Sequence, residues 1–233
     1  MSTRRQACLL FACAVLYGAA DAPWKSKQVT DWTEDDAKMV LTDSPWAASV
    51  TSTFVQNANR QRGGTGGGGV SIGLPGIGMG RSRGGNRGRG SAPDNETQTG
   101  DPPVLHLRWE SAQPIRDAEF KAREVTAPDI DAASYAIAVY GVPAHIARGD
   151  EKLLAAEFKR EAAIKREGKK DLKPSSVELL QREDGPVIVY LFPRKVELTR
   201  KDRRLEFDAQ IGSLQLTKSF YTEDMVWQGK LEM

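Results

Sequence analysis

Between Gly63 and Gly90, 14 of 28 residues are glycine, and the run continues into Ser91, Ala92, Pro93, Asp94 and Asn95. Backbone this free loses more entropy on ordering than its few apolar side chains offset by burial. Residues 58–103 therefore read as a disordered Gly/Arg-rich linker, and whatever folds must fold on either side of it. That leaves a short N-terminal part and a body at 104–233 of ordinary globular composition. Some 45 residues of glycine-rich coil have a root-mean-square span of roughly 35–40 Å. On that reach alone, the N-terminal part is free to dock anywhere on the body or to extend away from it.

The first twenty residues read as an address. Met1 to Gln6 carries Arg4 and Arg5 and no acid, and Ala7 to Ala20 is almost wholly apolar. This is the pattern of a secretory signal, too short to span a bilayer. Gly18 and Ala20 suit cleavage after Ala20, which predicts a secreted or periplasmic protein. A lipoprotein anchor at Cys13 fits poorly, because Phe11 is bulky for a lipobox and the apolar run continues past the cysteine. Cleavage removes Cys8 and Cys13, the only cysteines, and with them any disulfide or thiolate chemistry. It also removes Arg4 and Arg5 from 33 basic residues, leaving 31 against 31 acids. Such a neutral chain offers no overall charge for specific nucleic-acid binding, and membrane contact after cleavage is expected to be peripheral at most.

Residues 21–57 form an acidic arm holding three of the five tryptophans, Trp24, Trp32 and Trp46. Thr33-Glu34-Asp35-Asp36 reads as a capping box, with acids facing the positive end of a helix through Ala37, Val40 and Leu41. Ser44-Pro45 reads as a second helix start, which places Trp46, Val50 and Phe54 on one face at i, i+4, i+8. Together with Trp32 these make a docking face, either for the body of the same chain or for a separate partner.

In the body, Leu105, Leu107 and Trp109 alternate on one face of a strand. The stretch from Pro114 through Ile115, Ala118 and Phe120 fits a short helix or an extended edge segment equally well. Tyr135–Tyr140 reads as an apolar strand. Asp150 caps a predicted helix to Glu167, with Leu154, Phe158 and Ala162 inward and Gly168 as its stop. Val177–Arg182 and Val187–Phe192 flank Asp184-Gly185 as a hairpin, the second strand apolar enough to be central. Arg204–Ile211 and Leu214–Phe220 flank Gly212-Ser213, a register that pairs Ile211 with Leu214, Ala209 with Leu216 and Leu205 with Phe220. Val226–Glu232 adds a last strand. The expectation is an α+β, β-rich domain, an antiparallel sheet or sandwich with one longer helix, plus a short helical N-terminal arm.

Motifs with chemical meaning are few. Gly69-Val70-Ser71-Ile72-Gly73 and Gly80-Arg81-Ser82-Arg83-Gly84 match G-x-S-x-G, but neither has the strand and helix that a nucleophile elbow needs. Gly64–Gly69 satisfies G-x-G-x-x-G just as emptily, and no phosphate loop occurs, so no cofactor is expected. His106 and His145, the only histidines, have no partner at metal-ligand spacing. Asp129-Ile130-Asp131 supplies too few oxygens for calcium. Asp150 of Arg148-Gly149-Asp150 is better explained as a helix cap. Asn95-Glu96-Thr97 is a glycosylation sequon, meaningful only in a eukaryotic secretory route.

Several stretches carry a resemblance: Trp32-Thr33-Glu34-Asp35-Asp36-Ala37-Lys38, Leu41-Thr42-Asp43-Ser44-Pro45-Trp46, Arg108-Trp109-Glu110-Ser111-Ala112, and Met225 through Glu232. They are similar to a family of uncharacterised secreted bacterial proteins of acidobacterial type. The likeness spans arm and body and skips the linker. It implies an exported compartment and an arm and body that act as one unit, and it transfers no catalytic residue. Three functions stay open. The first is a non-enzymatic binding or structural domain of the cell envelope, whose partner is an envelope protein or polymer. The second is an exported hydrolase with a site assembled from dispersed carboxylates and His106 or His145. The third is an anionic-polymer binder acting through the linker's Arg60, Arg62, Arg81, Arg83, Arg87 and Arg89.

Overall fold

The computed structural model describes residues 22–55, 101–124, 127–128 and 130–233. The expected signal segment, the glycine tract with its serine motifs and six arginines, the sequon at Asn95, and Asp129 lie outside them. In the arm, Thr33 and Asp36 close the expected capping box at the start of helix α1 (Glu34–Thr42). Asp36 Oδ2 accepts from the Thr33 amide at 2.9 Å and from Lys27 at 2.6 Å.

The second arm helix does not form. Residues after Pro45 make strands β1 (Ala47–Thr51) and β2 (Thr53–Phe54). A spacing of four repeats one face of a helix, but it also repeats one face of a strand, so Trp46, Val50 and Phe54 satisfied both periods. Sheet pairing decided between them. β1 runs antiparallel to β3 (Val104–Arg108) from Ala47↔Arg108 to Thr51↔Val104. β2 pairs through Thr53↔Gln215 and Phe54↔Leu214 with β9 (Leu214–Tyr221).

The body is β-rich with three antiparallel sheets. One has five strands in the order β1-β3-β4-β7-β6, completed by β4 (Ser134–Tyr140), β6 (Ser176–Leu180) and β7 (Val187–Pro193). The second has the order β2-β9-β8-β5, with β5 (Ala162–Arg166) and β8 (Arg204–Ile211). The β8–β9 register is the expected one, Ile211↔Leu214, Ala209↔Leu216 and Leu205↔Phe220. Its turn needs Gly212, whose φ is +59° and whose missing Cβ would stand 2.8 Å from Ile146 Cγ2.

The two larger sheets share one core. Leu105, Leu107, Ile137, Val139, Ile188 and Phe192 join Leu205, Phe207, Ala209, Ile211 and Leu216. Tyr190 and Phe207 meet edge to face at 5.3 Å across the layer. The expected long helix is shorter. α3 (Glu151–Arg160), capped by Asp150, which accepts from the Leu153 amide, ends before Ala162, and Ala162 and Ile164 pair instead with Ala209 and Phe207. Without β5 the outer edge of β8 would lack a partner, and backbone pairing there outweighs the helical spacing of 154, 158 and 162. Gly168 turns the chain after β5 (φ +67°) rather than ending a helix. The C-terminal strand is likewise a small hairpin, β10 (Val226–Trp227) and β11 (Lys230–Leu231). No helix among the described residues is long and apolar enough to cross a membrane.

The chain leaves and re-enters this sandwich at neighbouring points. The Ser52 amide donates to Pro103 O at 3.1 Å and the Ser52 hydroxyl to the same oxygen at 2.8 Å. The 45 residues from 56 to 100 are thus far longer than the gap they close. Replacing 57–100 by about eight Gly/Ser residues is expected to keep the fold and raise stability by up to about 1.5 kcal/mol, from lower loop-closure entropy. Denaturant unfolding checks this, and a large loss of stability would show that the tract is needed for folding. Tyr190 is fully buried and its hydroxyl has no hydrogen-bond partner. Tyr190→Phe is therefore expected to be neutral or stabilising by about 1 kcal/mol in the same assay.

Candidate functional site

The sequence left Pro114–Phe120 undecided; it is helix α2 (Gln113–Ala122), with proline in its first turn. Ala112 before it and Ile115 and Ala118 within it are fully buried in the main core. On its other side, Arg116, Glu119, Phe120 and Arg123 fall at i, i+3, i+4 and i+7. These four, with Glu124, Ala127, Pro128 and Ile130 from the following chain, line a cavity of about 530 Å³. Phe120 stands 85% exposed at this cavity, whereas Glu119 is only 6% exposed.

Two details of α2 favour the cavity over its own stability. An exposed phenylalanine leaves apolar surface in water with no folding benefit. Arg123 holds the left-handed cap position (φ +54°, ψ +39°), with its amide bonded to Glu119 O and Phe120 O. Glycine is the residue that takes this conformation without steric cost.

Beneath the cavity lies a cluster of ionisable groups buried against the outer face of the five-stranded sheet. Glu110 follows β3 and is 1% exposed. The Tyr140 hydroxyl, at the end of β4, donates to Glu110 Oε1 at 2.5 Å. Arg108 stacks on the Tyr140 ring at 4.6 Å, pairs with Glu124 at 2.8 Å and donates to Leu41 O at 3.0 Å. Arg182 reaches the same ring at 5.6 Å. Glu110 Oε2 and Glu119 Oε1 are both buried with no hydrogen-bond partner, and the two carboxyls are near enough to shift each other's ionisation. Two neighbouring carboxyls buried in this way do not both ionise.

Burial, with the neighbouring Glu110 charge, pushes Glu119 up to about 10. Burial raises Glu110 as well, opposed by Glu119, by the bond from Tyr140 and by Arg108. Because Tyr140 already donates to Glu110, Glu110 is the better anion and Glu119 holds the proton at neutral pH. Desolvation and the adjacent Glu110 also raise Tyr140, which keeps its hydroxyl a donor.

The histidines lie outside this cluster's hydrogen bonds. His106, on β3, meets the Ser49 hydroxyl through Nδ1 at 2.9 Å on the exposed strand surface. His145 is exposed in the loop after β4. Among the described residues, no three His, Cys, Asp or Glu side chains are placed to hold a metal ion. Asp131 accepts from the Ala133 amide at 3.1 Å, a turn contact.

The aromatic residues of the arm sit inside their own protein. Trp24, Trp32, Trp46 and Trp227 form a buried cluster with ring centroids 5.4–6.4 Å apart. Trp46 Nε1 donates to Glu232 O at 2.8 Å and Trp32 Nε1 to Trp24 O at 3.2 Å. Val50 and Phe54 are half-buried against the same core. No family model, curated protein or solved structure matches this chain, so the site rests on its own geometry.

Sequence reasoning missed Glu110, Glu119 and Tyr140. A weak signal was present: Glu110 directly follows the inward-facing Trp109, and Glu119 directly follows the buried Ala118. What brings the two acids together is the packing of α2 on the sheet.

Glu119 ionises near its ordinary 4.5 in the unfolded chain and only near 10 in the fold. Folding therefore takes up a proton across that window, and stability falls as pH rises through it, by up to about 1.4 kcal/mol per unit. Glu119→Gln keeps the side chain neutral and removes this proton. It is expected to be more stable than the native chain at pH 8 by about 1–3 kcal/mol and to lose that advantage near pH 4.5. Denaturant midpoints at the two pH values test it; an equal effect at both would mean that Glu119 is not proton-linked.

Proposed function

We propose that this chain is an exported, non-enzymatic binding domain of the cell envelope, and that its ligand contact is the cavity beside α2. Export rests on the Arg4-Arg5 and apolar leader pattern. The observation that carries the binding site is Phe120, 85% exposed beside a 530 Å³ cavity whose lining includes a buried carboxyl. A volume of this order suits a small molecule or the end of a chain. Binding is favoured over hydrolysis because Tyr140 already donates to Glu110 beside Glu119, while His106, on the same sheet face as Tyr140, bonds to Ser49 rather than to either carboxyl. The tryptophans support the same reading, since their packing against Trp227 commits the arm to its own body.

Phe120→Ala is expected to change stability by no more than about 0.5 kcal/mol, as an exposed side chain should. Retention of the protein by its own envelope fraction is expected to fall at least about tenfold. Unchanged retention would remove the cavity from this reading. Retention lost only when the six linker arginines are replaced, and weakened by salt, would move the binding function to the linker.

A further inference from the structure

We infer that the cavity beside α2 takes a small zwitterion with an apolar side chain, an apolar amino acid or dipeptide with free ammonium and free carboxylate. The inference rests on the binding function proposed above and names the chemistry of its ligand.

The lining carries both signs of charge around an apolar middle. Phe120, Ala127, Pro128 and Ile130 supply the apolar wall, and Arg116 and Arg123 flank it. Glu119 lies between the two arginines on the same helix stripe, about 4.5 Å of helix rise from one and about 6 Å from the other. A purely anionic ligand would use the arginines and leave the carboxyl without purpose. A purely cationic one would meet the arginines as like charges. A zwitterion satisfies both, its carboxylate on a guanidinium and its ammonium on Glu119, with the side chain against the exposed phenyl ring.

The carboxyl pair gives this site a proton linkage. The groups facing Glu119 and its partner are Glu110, Glu124, Arg108, Tyr140 and Arg182, with Arg116 and Arg123 on α2 and at its cap. Burial and the neighbouring Glu110 keep Glu119 protonated at neutral pH. An ammonium placed there supplies the positive charge in its stead, and the proton leaves to solvent. Affinity therefore rises with pH, by at most about tenfold per unit. The left-handed arginine fits the same picture: Arg123 holds a backbone conformation that glycine would take more cheaply, and its side chain lines the cavity.

Calorimetric titration of the full chain with L-leucyl-L-leucine and with L-leucine tests this, using N-acetyl-L-leucine and L-leucinamide as forms lacking one charge each. Binding of at least one free zwitterion is expected, at least about tenfold tighter than either one-charge form. It should tighten from pH 6 to pH 8 with release of up to one proton, and that pH dependence should vanish in Glu119→Gln. Arg123→Gly separates binding from folding, because it relieves the left-handed strain and is expected to unfold no more easily than the native chain. It should nevertheless weaken the zwitterion at least about tenfold. Equal binding of the acetylated or amide form, or undiminished binding by Arg123→Gly, overturns the inference. If no zwitterion binds while envelope retention still depends on Phe120, the ligand class is wrong and the binding function stands. Zwitterion binding with retention indifferent to Phe120 would retain the site and remove the envelope role.

Discussion

The four-tryptophan cluster is the contact on which the rest of the structure depends. Trp24, Trp32 and Trp46 come from the first part of the described chain and Trp227 from its last hairpin, and their rings meet at 5.4–6.4 Å. Burying indoles from the first and last parts of the described chain together gives the arm a fixed place on the body. With the arm held, β1 and β2 each fill an edge, one in each of the two larger sheets. Those edges would otherwise present unpaired backbone to solvent. The arm is in this sense part of the sandwich, although 45 residues separate it from the body in sequence.

The same packing creates the unusual chemistry beneath α2. α1 and α2 lie against each other, and the helix so positioned presses Glu119 towards Glu110. A folded protein gains nothing in stability from burying two neighbouring carboxyls; the arrangement persists because the surrounding core holds α2 in place. Tyr140, stacked under Arg108 and Arg182, sets which carboxyl carries the charge. A proton, a hydroxyl and a guanidinium thus balance a cluster that would repel itself if fully ionised.

Where local pattern and sheet pairing agreed, the structure was legible in advance. The alternation of Leu105, Leu107 and Trp109, the Gly212 turn with its three apolar pairs, and the caps at Thr33 and Asp150 all formed as their residue types require. Where a pattern fitted two periods, tertiary pairing chose. Trp46, Val50 and Phe54 suit a helix or a strand, and β3 supplied the partner that made a strand. Leu154, Phe158 and Ala162 suit one helix, yet the free edge of β8 drew Ala162 into β5. Phe120 was grouped with Ile115 and Ala118, and the helix turned it the other way.

By itself the sequence supplied the expectations of an export-type leader, a glycine-rich tract and a thiol-free mature chain, and it supplied the β-rich character of the body that the fold bears out. Each of these depends on composition or on neighbours a few residues apart, which any chain with these residues carries with it. The site was decided by tertiary structure alone. Glu110 and Glu119 are separated by the start of α2, Tyr140 comes from β4, and Arg182 comes from the loop after β6. Their protonation follows from burial and mutual distance, quantities that do not exist until the sheet and α2 have packed.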